Sequence, residues 1–326
     1  MRVFLFLIFT LTLTFANNGM KILNNFIEGK DYIRLMDKFL FSDEYIYNLL
    51  KNKDVKFGYY SHPTNIIICY KDKKTLDLYK YNKNGIKLEK QFKNILTGRN
   101  PGDKWREGDG RTPIGVYTLK YKYNDNQLND FYGPLAYTTS YPNLYDNYLG
   151  KKGHGIWIHG FPKDNPNRDF DTKGCIALPN PELKHLSSLL KDYKNSILII
   201  NTDNLPTTNK QKIYYILKEL FKWRYAWKYN DLETYLSFYD KDTFRKSNKY
   251  DFEDFKYMKE SVFSYQKNKI LKFKNIKIIP YPSTEGNDVY KVEFEEFFKS
   301  GSHQFRGKKI IYLRLIGNKI SIFLES

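Results

Sequence analysis

A polar stretch at 204–209 (Asn-Leu-Pro-Thr-Thr-Asn) divides this chain, because the residue pattern differs on its two sides. Linkers of this composition mark domain edges, and a length of 326 residues suits two domains. Before the linker, short apolar runs alternate with Gly, Pro and Asn punctuation. Strands are expected at 65–70 and 76–81, with Asn84-Gly85 supplying a turn, then at 91–96, 115–121, 155–159 and 196–201, with one helix at 181–191. Many short strands of this kind predict a mainly-β domain, a sandwich or small barrel. After the linker the order reverses. Helical spacing runs through 210–228, 231–239 and 251–267, and strand patterns follow at 270–281, 289–299, 308–316 and 319–325. Helices followed by a run of strands predict an α+β domain. In front of both domains, 21–50 reads as two helices, with Ile22, Leu23, Phe26 and Ile27 and then Leu35, Phe39, Tyr45 and Leu49 at helical spacing. This arm is too small to fold alone, so it is expected to pack on the next domain or on a second copy in a homodimer.

The first residues add a compartment. Met1-Arg2 is a short positive start, 3–13 is an apolar run, and Thr14-Phe15-Ala16 offers small residues for a cut after Ala16. That is the pattern of a secretory signal, too short to span a bilayer comfortably. The expected layout is signal 1–16, helical arm 17–58, mainly-β domain 59–203 and α+β domain 204–326. The formal charge of +18 points to an anionic partner. Export argues against nucleic acid and favours the anionic polymers of a cell wall. The chain carries two cysteines, too few for a disulfide-held fold. Cys69 ends the run Ile66-Ile67-Ile68 and reads as a buried strand residue, whereas Cys175 sits among Gly, Thr and Lys, where packing gives it no purpose.

Cys175 therefore carries the chemistry. The segment Gly153-His154-Gly155-Ile156-Trp157-Ile158-His159-Gly160 precedes Asp171-Thr172-Lys173-Gly174-Cys175-Ile176-Ala177. A thiol is mostly protonated at neutral pH and needs an imidazole to become a nucleophile. Both His154 and His159 are candidates. Strand alternation places Trp157 and His159 on one face and Ile156 and Ile158 on the other, which favours His159. The glycines let backbone N–H groups approach a developing oxyanion. No other catalytic or cofactor motif survives. Gly108-Asp109-Gly110-Arg111-Thr112-Pro113 ends in Pro where a dinucleotide loop needs Gly, the five His form no zinc pattern, and no G-x-S-x-G is present. No metal or cofactor is expected.

The runs His159-Gly160 and Thr172-Lys173-Gly174-Cys175-Ile176, preceded by Gly108-Asp109-Gly110-Arg111-Thr112-Pro113-Ile114-Gly115-Val116-Tyr117, resemble the signature of the L,D-transpeptidase (YkuD-like) family over about 64–202. The resemblance implies Cys175 as nucleophile, His159 as general base and the Gly160 carbonyl as its orienting partner. It implies an oxyanion hole at the N–H groups of Gly174 and Cys175, with Thr172, Lys173, Arg111, Trp157 and His154 around the substrate. The family usually has Arg two positions after the cysteine. This chain has Ala177, so Arg106, Arg111 or Lys173 is expected to supply the cation. After the linker, Trp223, Ala226, Trp227, Asp231-Leu232 and 235–239 resemble an NTF2-like domain, with Lys308 and Glu325 meeting at the mouth of a pocket for a glycan or other ligand. The whole layout is similar to that of the cell-shape-determining L,D-carboxypeptidases of helical bacteria, which act on peptidoglycan peptide stems.

Overall fold

The computed structural model describes residues 31–164, 171–203, 205–282 and 288–326; the expected signal at 1–16 lies outside them. In chain order the elements are α1 (Tyr32–Phe39), α2 (Asp43–Leu50), β1 (Tyr59–Tyr60), β2 (Thr64–Tyr70), β3 (Thr75–Asn82), β4 (Gly85–Lys93), β5 (Gly115–Asn124), β6 (Leu135–Thr139), α3 (Leu144–Tyr148), β7 (Trp157–Gly160), β8 (Ile176–Leu178), α4 (Asn180–Leu189) and β9 (Ser196–Asn201). The remainder are α5 (Lys210–Lys228), α6 (Leu232–Leu236), β10 (Arg245–Lys246), α7 (Phe252–Tyr265), β11 (Ile270–Pro280), β12 (Val289–Ser300), β13 (His303–Ile316) and β14 (Lys319–Glu325). Among the described residues no helix is long and apolar enough to cross a membrane.

The first domain is one mixed sheet in the order β4-β3-β2-β9-β5-β6-β7-β8. Strand β5 turns the sheet. Its first half pairs with β9 and its second half with β6, and the register slips between Leu119 and Lys122. Such a bulge bends a strand and raises its twist. The run Ile66-Ile67-Ile68-Cys69 explains how this sheet is packed. Successive side chains point to opposite faces. Ile67 and Cys69 face a core closed by Leu183 and Leu186 of α4. Ile66 and Ile68 face Ile279, Tyr281, Val289, Tyr312 and Phe323 of the second sheet. The strand is apolar throughout because both its faces are covered, and the second of those covers is the contact between domains. Neither cysteine is paired.

The second sheet runs β1-β11-β12-β13-β14-β10 and wraps the long helix α5. Asn209 caps α5 by accepting from the Lys212 N–H at 2.9 Å, and its buried stripe includes Ile213, Ile216, Leu217, Leu220, Trp223 and Trp227. Strand β1, placed by sequence in the first domain, pairs instead with Lys277 and Ile278 of β11. It covers an edge that would otherwise stay open. The arm also belongs to this domain. Ile46 and Leu50 join the core around α5. The buried Asp37 carboxylate accepts from Arg224 at 2.9 Å, from Tyr229 at 2.8 Å and from Lys228. The apolar face of α2 is thus used within the chain, against a helix more than 150 residues further on.

Candidate active site

Two short parallel strands build the site. In β7, Ile158 points into the core, so Trp157 and His159 face the other way. In β8, Ile176 and Leu178 point into the same core, which puts Cys175 and Ala177 on the side of His159. The register sets Ile158 beside Ile176 and His159 beside Ala177. Base and nucleophile therefore rise from neighbouring strands onto one face. They open into a cleft of about 520 Å³, lined also by Lys104, Glu107, Phe131, Tyr132, His154 and Lys173.

The imidazole is nearly sealed, with His159 1% exposed. Its Nδ1 lies 2.7 Å from the Gly160 carbonyl oxygen. A carbonyl only accepts, so Nδ1 carries the proton and Nε2 is left as the acceptor, the tautomer a general base requires. Gly160 has to be glycine. A Cβ there would lie 2.2 Å from Asn180 Oδ1 and 2.9 Å from Pro134 Cδ. Tyr132 meets the imidazole edge-on at 5.2 Å and Phe131 lies at 6.2 Å. Cys175 Sγ approaches the Gly155 carbonyl at 3.4 Å. Burial pushes its thiol up, while the Trp157 N–H and the charge of Lys104 pull it partly back. The resting site therefore favours the neutral thiol over the thiolate.

A model of the L,D-transpeptidase (YkuD) catalytic domain matches residues 64–202, and one of the Cds6 C-terminal NTF2-like domain matches 215–326. The crystal structure of the helical cell shape determining protein Pgp2 from Campylobacter jejuni is 37% identical, covering 88% of this chain and 99% of that one, with a TM-score of 0.80. The chain belongs to the L,D-transpeptidase family. Bd1075 of Bdellovibrio bacteriovorus shares the fold at 24% identity, with 83% of this chain and 95% of that chain covered and a TM-score of 0.64. YafK of Escherichia coli K12, named for L,D-transpeptidase activity, is 31% identical over 130 residues, 40% of this chain. The match spans about half the length of that relative, 48%.

Within this member of the family several expected roles move. The Gly174 N–H donates to Thr172 Oγ1 at 3.0 Å, and that hydroxyl donates to the Cys175 carbonyl at 2.7 Å. Gly174 is thus committed to the loop, so of the two expected oxyanion donors the Cys175 N–H is the one left. Thr172 braces the nucleophile turn and also lines the cleft. Gly174 keeps its place for its backbone: φ is +139° and a Cβ would meet the Arg111 carbonyl at 2.8 Å. Arg111 lies outside the cleft, with its guanidinium turned to the Asp103 carbonyl at 3.5 Å. Arg106 lies outside it too, and of the three expected cations only the exposed Lys173 lines the cleft. His154 stands at the rim, 81% exposed and 3.6 Å from Glu107. Trp157 stacks between Tyr123 and Tyr132, 5.5 and 5.0 Å away, and stiffens the wall. Ala177 is fully buried, its backbone paired with His159 of β7 on one side and Leu96 on the other.

Sequence reading missed Lys104, Phe131 and Tyr132. The loop motif was the available signal for Lys104. Asp109 of that motif accepts from the N–H groups of Trp105, Arg106 and Arg111 and from Lys104 Nζ at 2.8 Å. Burial would push its carboxyl up, but these bonds hold it well below the usual range. Thr112 Oγ1 accepts from the Gly98 N–H at 2.7 Å and ties the same loop to the sheet.

In the NTF2-like domain, Lys308 and Glu325 do not meet. They lie on opposite faces of the sheet. Lys308 reaches Glu293 at 3.0 Å, whereas Glu325 faces Lys309 at 3.0 Å, Lys246 at 3.1 Å and the Tyr239 hydroxyl at 3.0 Å. Lys259 joins the Glu325 side, its Nζ 5.0–5.3 Å from the ring centres of Trp227, Phe255 and Tyr235.

Proposed function

We propose that this chain is a periplasmic peptidoglycan L,D-carboxypeptidase that removes the terminal D-alanine from tetrapeptide stems and so influences cell shape. The observation that carries this reading is the shared face of β7 and β8, which presents Cys175 and His159 to one cleft. Cys175 Sγ attacks the diaminopimelate carbonyl that joins the D-alanine, and its proton passes to His159 Nε2 as the carbon–sulfur bond forms. The Cys175 N–H receives the developing oxyanion. Collapse expels the D-alanine amine, protonated by His159, and leaves a thioester. His159 then takes a proton from water, which attacks the thioester and releases the tripeptide and the thiol.

The preference for hydrolysis over crosslinking rests on the two-domain layout, shared with a protein named for determining helical cell shape. In this reading the NTF2-like domain is a second place for a wall ligand, a glycan among the candidates. The test is digestion of muropeptide tetrapeptides by wild type and Cys175→Ala, read by mass. Loss of one alanine with wild type alone supports the carboxypeptidase. New 3–3 dimers identify a transpeptidase, and unchanged peptide with both proteins identifies a non-catalytic wall-binding scaffold.

A further inference from the structure

The cleft holds a cation that the loop does not use up. Lys104 is 3% exposed, yet it lines the cleft beside Cys175 and His159. Its stem passes Gly153, where a Cβ would stand 3.2 Å from Lys104 Cε. An ammonium has three N–H donors. One goes to Asp109 Oδ1 at 2.8 Å and one to the Arg106 carbonyl at 3.1 Å. The third has no partner among the described residues. The ion pair with Asp109 balances the charge overall but occupies only one of the three N–H donors. The bonds that Asp109 also accepts from three backbone N–H groups would hold the loop without any lysine, whereas burying an ammonium with a spare donor is costly unless something fills the place. The charge of Lys104 already acts on the Cys175 sulfur, so it stands near the reacting atoms.

We propose that Lys104 is the specificity residue for a free carboxylate at the end of the peptide, holding the terminal carboxylate of the D-alanine that leaves. This rests on the carboxypeptidase reading above and supplies what that reading lacks, a reason for cutting only the last residue. Held by two fixed acceptors, Lys104 is a preorganised point charge. The exposed Lys173 has no such restraint. An internal peptide bond presents an amide where the carboxylate would sit and leaves the ammonium unpaired.

The test measures binding, so that it does not depend on turnover. Cys175→Ala is titrated by calorimetry with the tetrapeptide and with the same tetrapeptide amidated at its last residue, and the titrations are repeated in Cys175→Ala/Lys104→Met. The first protein should bind the acid about ten- to hundredfold more tightly than the amide, as a charge-assisted hydrogen bond allows. The second should bind the two alike, with amide affinity unchanged. A purely structural lysine would lower both affinities together, and an irrelevant one would change neither; either result overturns the proposal. Matched melting temperatures show that both proteins are folded. Alanine release by wild type, scored separately, reports on the carboxypeptidase reading itself.

Discussion

The catalytic cleft and the C-terminal sheet both bury ionisable groups, but in different company. In the cleft, burial pushes the Cys175 thiol up, and the group beside it is an imidazole whose Nδ1 proton is already given to Gly160. The thiol therefore rests protonated, and ionising it depends on the few groups that oppose burial, the Trp157 N–H and the charge of Lys104. In the C-terminal sheet, burial also acts against the charged form of Glu325 and Glu293. There the cations win: Lys309, Lys246 and Lys259 hold Glu325 at about 2, and Lys291, Lys308 and Lys277 hold Glu293 at about 2. One region keeps a buried acid protonated and the other keeps two buried carboxylates ionised, although burial there pushes Lys259 down to about 7. Ionisable groups alone do not make a reactive site; the number of opposite charges around them decides.

The comparison breaks first if His159 is dispensable. His159→Gln should lower turnover on the order of 10³-fold, measured as D-alanine release, with urea unfolding changed far less. Glu325→Leu should do the reverse. It strands Lys309 and Lys246 without their carboxylate and should cost roughly 3 kcal/mol of stability, read by the same unfolding curve, while folded protein keeps its rate. The two regions should also answer pH differently. A carboxylate held at about 2 in the fold, against an ordinary 4.5, contributes its full stability above pH 4.5 and loses it as pH falls through 4.5 towards 2. Thermal melting across that window should show the loss, and Glu325→Leu should flatten it. Iodoacetamide labelling of Cys175 should respond at the other end of the scale. With the thiol raised above its ordinary 9.0, the labelling rate should still be climbing past pH 9. The smallest effect is expected from Lys308→Ala, since that side chain is 48% exposed and Glu293 keeps two other lysines. A change below about 1 kcal/mol, against a larger one for the nearly buried Lys309→Ala, would confirm that the two neighbours serve different faces.

Local physics made much of this readable in advance. Helix α5 is bounded by a capping Asn209 and a long apolar stripe, and strand β14 by its alternation; both begin and end where the pattern indicates. Cys175 stood out because a cysteine among Gly, Thr and Lys has no packing purpose, and His159 because it ends a strand just before a glycine. What escaped depended on pairings between distant segments. Strand β6 (Leu-Ala-Tyr-Thr-Thr) carries too short a pattern to announce itself, and it is fixed by β5 and β7 on either side. Phe131 and Tyr132 sit in a single turn of 3₁₀ helix and reach the imidazole only because the sheet curls. The confusion of Lys308 with Lys309 came from one residue of register, which in a strand reverses the face. Lys104 stayed hidden because the loop motif reads as a turn, and its role as a cradle for an ammonium appears only when Asp109 is seen to gather four donors.

The central claim is that Cys175 becomes acylated by the peptide. Intact-mass and peptide-mapping spectra of enzyme quenched in acid within the first turnover test it most directly. The account predicts a gain equal to the tetrapeptide less one alanine residue and one water, mapped to the peptide containing Cys175 and absent from Cys175→Ala. D-Alanine released by Cys175→Ala at the wild-type rate, with no adduct in either protein, would contradict it.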